Sequence, residues 1–180
     1  MKEKFLVVVD MQKDFVDGAL GSVEAVVIVD NVVKKINDFE GAIIVTYDTH
    51  ESNYMETREG KFLPVPHCIK GTEGWELNSK VQEALNSKWN RIIHKPTFGS
   101  VVLADMIKTM VGSDFDEKNV EVTLIGLCTD ICVVSNAMLL KANFPEMDIK
   151  VDAKCCAGVT PESHNAALLT MKMCQIEVIE

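Results

Sequence analysis

The sequence predicts an α/β fold, a Rossmann-like three-layer αβα sandwich around a mainly parallel six-stranded sheet, with residues 1–180 forming one domain. Three observations predict it. Continuous β-branched runs such as Phe5-Leu6-Val7-Val8-Val9 suit strands buried on both faces. These runs alternate with segments whose apolar residues recur at helical spacing. At 180 residues, with 47% apolar and 25% charged side chains, the chain has the length and composition for one ordinary core.

The elements follow in order. Residues 5–9 form a first strand, ended by Asp10, and residues 14–22 a loop with two glycines. Val27, Val32, Val33 and Ile36 mark a helix over 24–39, and Ala42-Ile43-Ile44-Val45-Thr46-Tyr47 a second strand ended by Asp48. Residues 49–74 are polar and broken by Pro64 and Pro66, an irregular excursion long enough to suggest function. A helix is expected over 75–86, a short strand over 91–94 and a helix over 101–110. The fourth strand, Val120-Glu121-Val122-Thr123-Leu124-Ile125, leads through Gly126-Leu127-Cys128 to a helix over 133–141, with Thr129 and Asp130 as candidate caps. A strand over 147–151, a helix opened by Thr160-Pro161-Glu162 and a strand over 175–179 complete the pattern.

Composition excludes several function classes. A formal charge of −9 argues against nucleic acid or an anionic membrane as partner. No GxGxxG follows the first strand and no GxxxxGK[ST] occurs, so no nucleotide cofactor is expected. Six cysteines without a CxxC pair suggest reduced thiols rather than a disulfide scaffold or zinc ribbon. Five apolar residues before Asp10 are too few for a signal peptide or membrane span, so the expected location is the cytoplasm.

In open α/β sheets ligands bind beyond the carboxyl ends of the strands. The first four strands deliver Asp10, Asp48 with His50, Lys95 and Cys132 to that edge. Cys132 lies in a predicted first helical turn, where backbone N–H groups and the helix dipole favour a thiolate, and so is the candidate nucleophile. Asp10 is the candidate base, and Lys95 would stabilise both charges. Asp48, His50 and His67 form an oxygen and nitrogen set suited to Zn²⁺, or to Fe²⁺ or Mn²⁺, with positions left open for water and substrate. Glu59 is a candidate extra ligand, directly or through water, with a solvated loop carboxylate the preferred reading, and His94 and His164 read as structural.

Three stretches, Val8-Val9-Asp10-Met11-Gln12-Lys13-Asp14-Phe15, His94-Lys95-Pro96 and Gly126-Leu127-Cys128-Thr129-Asp130-Ile131-Cys132-Val133, resemble the isochorismatase-like cysteine hydrolases in order and spacing. The resemblance implies a triad of Asp10, Lys95 and Cys132 and a thioester intermediate. It also implies a non-proline cis peptide at Leu127–Cys128 and an oxyanion hole from the N–H groups of Cys128 and Cys132. Asp48-x-His50, His67-Cys68 and Gly71-Thr72-x-Gly74 look like the nicotinamidase branch, which binds a divalent metal and hydrolyses nicotinamide to the acid plus ammonia. By the same resemblance Phe15 and Trp75 would wall an aromatic pocket, with core packing the alternative for each, and the chain would form a dimer or tetramer. Two other functions compete. One is a metal-free relative cleaving a ureido or other small amide, or isochorismate. The other is a non-catalytic binding or thiol-sensing module built on Cys132.

Overall fold

The computed structural model describes residues 2–180. Its sheet has six strands in the order β3-β2-β1-β4-β5-β6, all parallel. They are β1 (Glu3–Val9), β2 (Ala42–Asp48), β3 (Asn90–Lys95), β4 (Val120–Leu127), β5 (Asp148–Ala157) and β6 (Glu177–Ile179). The β1 run is buried on both faces because each face meets helices. Phe5, Val7 and Val9 pack on the layer with α5 (Leu103–Val111), α6 (Val134–Asn143) and α7 (Pro161–Met173). Leu6 and Val8 pack on the layer with α2 (Val23–Asp38) and α4 (Ser79–Asn86). This is the αβα sandwich expected from the sequence.

Four segments depart from expectation. β5 runs on to Ala157, because a register shift after Leu124 lets Cys156 and Ala157 pair with Gly126 and Leu127. Polar Asp152 and Lys154 hide that extension in the sequence. Both are held by α2: Lys35 pairs with Asp152 at 2.8 Å, and Asn31 donates to the Lys154 carbonyl. The helix expected from residue 75 begins only at Ser79, capped by Asn78, because Trp75 and Leu77 are tied to Gln12. The loop expected over 14–22 instead begins with a short helix, α1 (Lys13–Val16), and the 49–74 excursion carries a 3₁₀ turn at Tyr54–Glu56 and α3 (Arg58–Phe62). The cap at α7 is as expected: Thr160 and Ser163 form a reciprocal capping box with Pro161 in the first turn.

Two backbone features prepare the site. Asp10 leaves β1 with φ at 48°, a left-handed conformation that Asp tolerates better than most residues. Gly126 has φ 114°, and a Cβ there would come within 2.1 Å of the Val9 carbonyl oxygen, so only glycine lets β4 lie so close to β1. The Leu127–Cys128 peptide is cis, as the resemblance implied. No helix among the described residues is long and apolar enough to cross a membrane.

Candidate active site

Strand order reverses between β1 and β4, where the chain departs to opposite sides of the sheet. Such a switch point opens a crevice at the carboxyl edge. Asp10 follows β1 and Cys132 follows β4, so both fall at this crevice, and Lys95 reaches them from the end of β3. Lys95 Nζ lies 2.6 Å from Asp10 Oδ2, 3.5 Å from Cys132 Sγ and 3.5 Å from Asp48 Oδ1. All four side chains are buried. Thr46 donates to Asp10 Oδ1 at 2.6 Å and fixes the carboxylate plane.

The electrostatics differ from those expected at Cys132. Residues 129–133 form a π turn, not the first turn of an α-helix, and Cys132 sits inside it. Thr129 and Asp130 cap nothing. Thr129 Oγ1 bonds His164 Nδ1, and the Asp130 carboxylate accepts the Val159 N–H. Burial, then the facing Asp10 carboxylate, push the Cys132 thiol well above its ordinary pKa, against Lys95. Burial likewise raises the Asp10 carboxyl, opposed by Lys95. Burial alone would discharge Lys95, but Asp10, Cys132 and Asp48 outweigh it and keep the ammonium charged. Burial thus raises both the Cys132 thiol and the Asp10 carboxyl, with the Lys95 ammonium set against each shift.

A second cluster lies beside the first. One ligand-type atom from each of Asp48, His50, Glu59 and His67 falls within 4.8 Å of all the others. His50 Nε2 is 3.0 Å and His67 Nε2 3.5 Å from Asp48 Oδ2, and Glu59 Oε1 is 3.6 Å and 3.7 Å from the same two nitrogens. His67 Nδ1 donates to the Val65 carbonyl at 2.8 Å, which turns the Nε2 lone pair inward, as a metal-ligating imidazole requires. Two carboxylates and two imidazoles match the donor preferences of a divalent transition metal. Glu59 is thus a member of the cluster, correcting its reading as a solvated carboxylate: α3 swings it over the histidines, where it is only partly exposed.

Several residues that hold the site escaped the sequence reading. Buried Gln12 accepts the Asp48 N–H through Oε1 at 2.8 Å and donates through Nε2 to the Asp48 and Trp75 carbonyls, each at 2.9 Å. Asp14 accepts the Cys68 N–H at 2.7 Å and so anchors the strand of chain that carries His67. Asn136, one turn past Cys132, donates to the Cys132 carbonyl and accepts from the Ser100 N–H, tying the Cys132 turn to the segment after Lys95. A polar residue on the inward face of an otherwise apolar helix is the signal that could have found Asn136.

A cavity of about 460 Å³ opens onto both clusters and is lined by Cys132, Asp48, Glu59 and His67 among others. Phe15 is in its wall, packed on the His67 ring at 5.4 Å. Trp75, expected in that wall, is not. It stacks on His94 at 5.4 Å and donates to Thr49 Oγ1, on another face, because Gln12 holds its backbone there. Phe98, from the turn after Lys95, lines the cavity instead.

Comparison with known proteins agrees with this geometry. The family model for the Isochorismatase domain matches residues 4–180. An isochorismatase family protein PncA of Bacillus subtilis (strain 168), itself uncharacterized, is 28% identical over 177 residues, covering 92% of each chain. The crystal structure of the nicotinamidase/pyrazinamidase PncA from Bacillus subtilis superposes with a TM-score of 0.84 at 26% identity, over 99% of this chain and 100% of that one. The pyrazinamidase of Pyrococcus horikoshii, solved in complex with zinc, gives 0.77 at 27% identity over 99% of each. A match that runs almost end to end, on a sheet whose switch point carries the expected cysteine motif, places this chain in the isochorismatase family of hydrolases.

Proposed function

We propose that this hydrolase of amide C–N bonds uses Cys132 as its nucleophile, with residues 1–180 working as one unit, and converts nicotinamide or a close aromatic amide to the acid plus ammonia. One observation carries the reading: the Lys95 ammonium touches Asp10, Cys132 and Asp48 at once, joining the thiol–carboxylate pair to the metal-type cluster. Similarity to a nicotinamidase/pyrazinamidase and a pyrazinamidase of known structure supports the substrate.

Asp48, His50, Glu59 and His67 would hold the metal, most simply the zinc found with the Pyrococcus horikoshii enzyme. Bound there, it would supply Lewis-acid ligation for a heteroaromatic nitrogen. The chain's own residues do the rest. Asp10 takes the Cys132 proton as sulfur attacks the carbonyl carbon, and the N–H groups of Cys128 and Cys132 receive the developing oxyanion. Asp10 then gives that proton to the departing nitrogen, and ammonia leaves a thioester on Cys132. Water, deprotonated by Asp10, attacks the thioester, and the acid departs with the thiol restored. Lys95 stays charged throughout and keeps Asp10 ionised when it must act as base.

The metal-free alternative gives the clustered Asp48, His50, Glu59 and His67 no task. Its carboxylate-bearing substrate, isochorismate, also meets no counter-charge, because the cavity is lined by no Arg or Lys and Lys95 is committed to Asp10. A thiol sensor needs no proton shuttle beside Cys132. All six cysteines are free, which fits a reducing cytoplasm. Exposed Trp89 and Ile92 beside the unpaired edge of β3 fit the expected dimer or tetramer. The test is ammonia release from nicotinamide, before and after chelation and zinc restoration, with Cys132→Ala as blank. Metal-dependent release absent from the blank is the expected result. No release from zinc-loaded protein contradicts the reading.

A further inference from the structure

One buried side chain outside the metal-type cluster touches both of its imidazoles. Tyr54 is 1% exposed and lies in the 3₁₀ turn of the 49–74 excursion. Its ring makes T-shaped contacts with the His50 ring at 4.8 Å and the His67 ring at 5.0 Å, and the two imidazoles meet each other at 5.0 Å. Three rings packed edge to face hold one another against rotation. His67 is also oriented by its bond to the Val65 carbonyl. Among the described residues, no side-chain hydrogen bond from outside the cluster orients the His50 ring, so that task falls to Tyr54.

The same residue grips α3 at both ends. At the start, the Tyr54 carbonyl accepts from Thr57 Oγ1 at 2.7 Å, and Thr57 caps the helix. A Cβ on Gly60 would come within 2.2 Å of that carbonyl oxygen, so the helix lies directly on the turn. At the end, the Tyr54 hydroxyl donates to the Leu63 carbonyl at 2.9 Å, and the Leu63 N–H closes back on the Glu59 carbonyl at 2.8 Å. Glu59 lies between the two grips. Its side chain is 20% exposed, against 7% or less for Asp48, His50 and His67. It is therefore the ligand that water would draw away if the helix were released.

We propose, resting on the metal reading above, that Tyr54 is the positioning residue of the metal site. Its hydroxyl keeps Glu59 in reach as the fourth ligand, and its ring sets the angle of the two imidazoles.

The experiment titrates metal-free protein with zinc and records the absorption spectrum of the cobalt(II) form. The proteins compared are wild type, Tyr54→Phe, Tyr54→Leu, Glu59→Gln and the Tyr54→Phe/Glu59→Gln double variant. Tyr54→Phe keeps the ring and loses the hydroxyl grip. Its zinc Kd should rise about tenfold or more, as loss of an outer partner to a ligand does. Its cobalt spectrum should match that of Glu59→Gln, and the double variant should bind no more weakly than Glu59→Gln alone. Tyr54→Leu, which loses the ring as well, should bind more weakly than Tyr54→Phe. Should Tyr54→Leu fail to fold, Tyr54→Phe carries the test. A wild-type Kd and spectrum in Tyr54→Phe, or losses that multiply in the double variant, overturn the grip on Glu59 and leave the metal site standing. Equal binding by folded Tyr54→Leu and Tyr54→Phe overturns the part given to the ring. Wild-type protein that takes up neither zinc nor cobalt overturns the metal reading and this proposal together.

Discussion

The two clusters of the site are held by different means. Asp10 and Lys95 sit at or next to strand ends, and Cys132 lies in the turn that leaves β4, with the sheet fixing all three. Of the metal-type cluster only Asp48 belongs to a strand. His50, Glu59 and His67 belong to the 49–74 excursion, which is pinned back by Gln12, by Asp14 and by pairing of His50 with the chain at Cys68 and Lys70. The difference teaches that the triad should be as durable as the sheet, whereas the ligand set should depend on a few polar clasps and on the ion it binds.

The largest effect should come from Cys132→Ala, lowering kcat by about 10⁴-fold or more while the fold persists, as parallel kinetics and thermal melts would record. Next, Lys95→Ala should abolish turnover and also destabilise the protein by about 3–5 kcal/mol, since it strands the Asp10 carboxylate in the core. Urea denaturation measures that loss, and an unchanged midpoint would deny that the triad is part of the sheet's own stability. His67→Ala should remove metal binding and most activity with little change in the sheet. Chelated wild-type protein should recover on adding zinc and the variant should not. Gln12→Leu couples the halves: it deletes three hydrogen bonds to the Asp48 and Trp75 backbone, so about 2–3 kcal/mol of stability and about 10- to 100-fold in metal affinity should be lost together. Smallest is Trp75→Phe, which loses only the bond to Thr49 outside the cavity, and its KM should match wild type.

The same contrast explains what the sequence made legible. β-branched runs state their own burial, and residues that end such runs must lie at the carboxyl edge, so Asp10, Asp48, Lys95 and Cys132 could be gathered before any coordinates. Phe15 is placed only through the family resemblance, and the structure carries it on α1, inside the loop expected over 14–22. Glu59 and Trp75 could not be placed, since their positions follow from how a broken excursion folds back on Gln12, a contact between residues distant in sequence. The character of Cys132 was also hidden. Helical periodicity pointed to an ordinary first turn, but the structure has a π turn there, and burial with the facing Asp10 makes the thiol harder to ionise, not easier.

The proposed mechanism stands or falls on acylation of Cys132. Acid quenching during steady turnover of nicotinamide, followed by intact-mass and peptide mapping, tests it most directly. A nicotinoyl adduct is expected on the peptide bearing Cys132, absent from Cys132→Ala. Undiminished turnover by Cys132→Ala, with no adduct on the wild-type peptide, would contradict it.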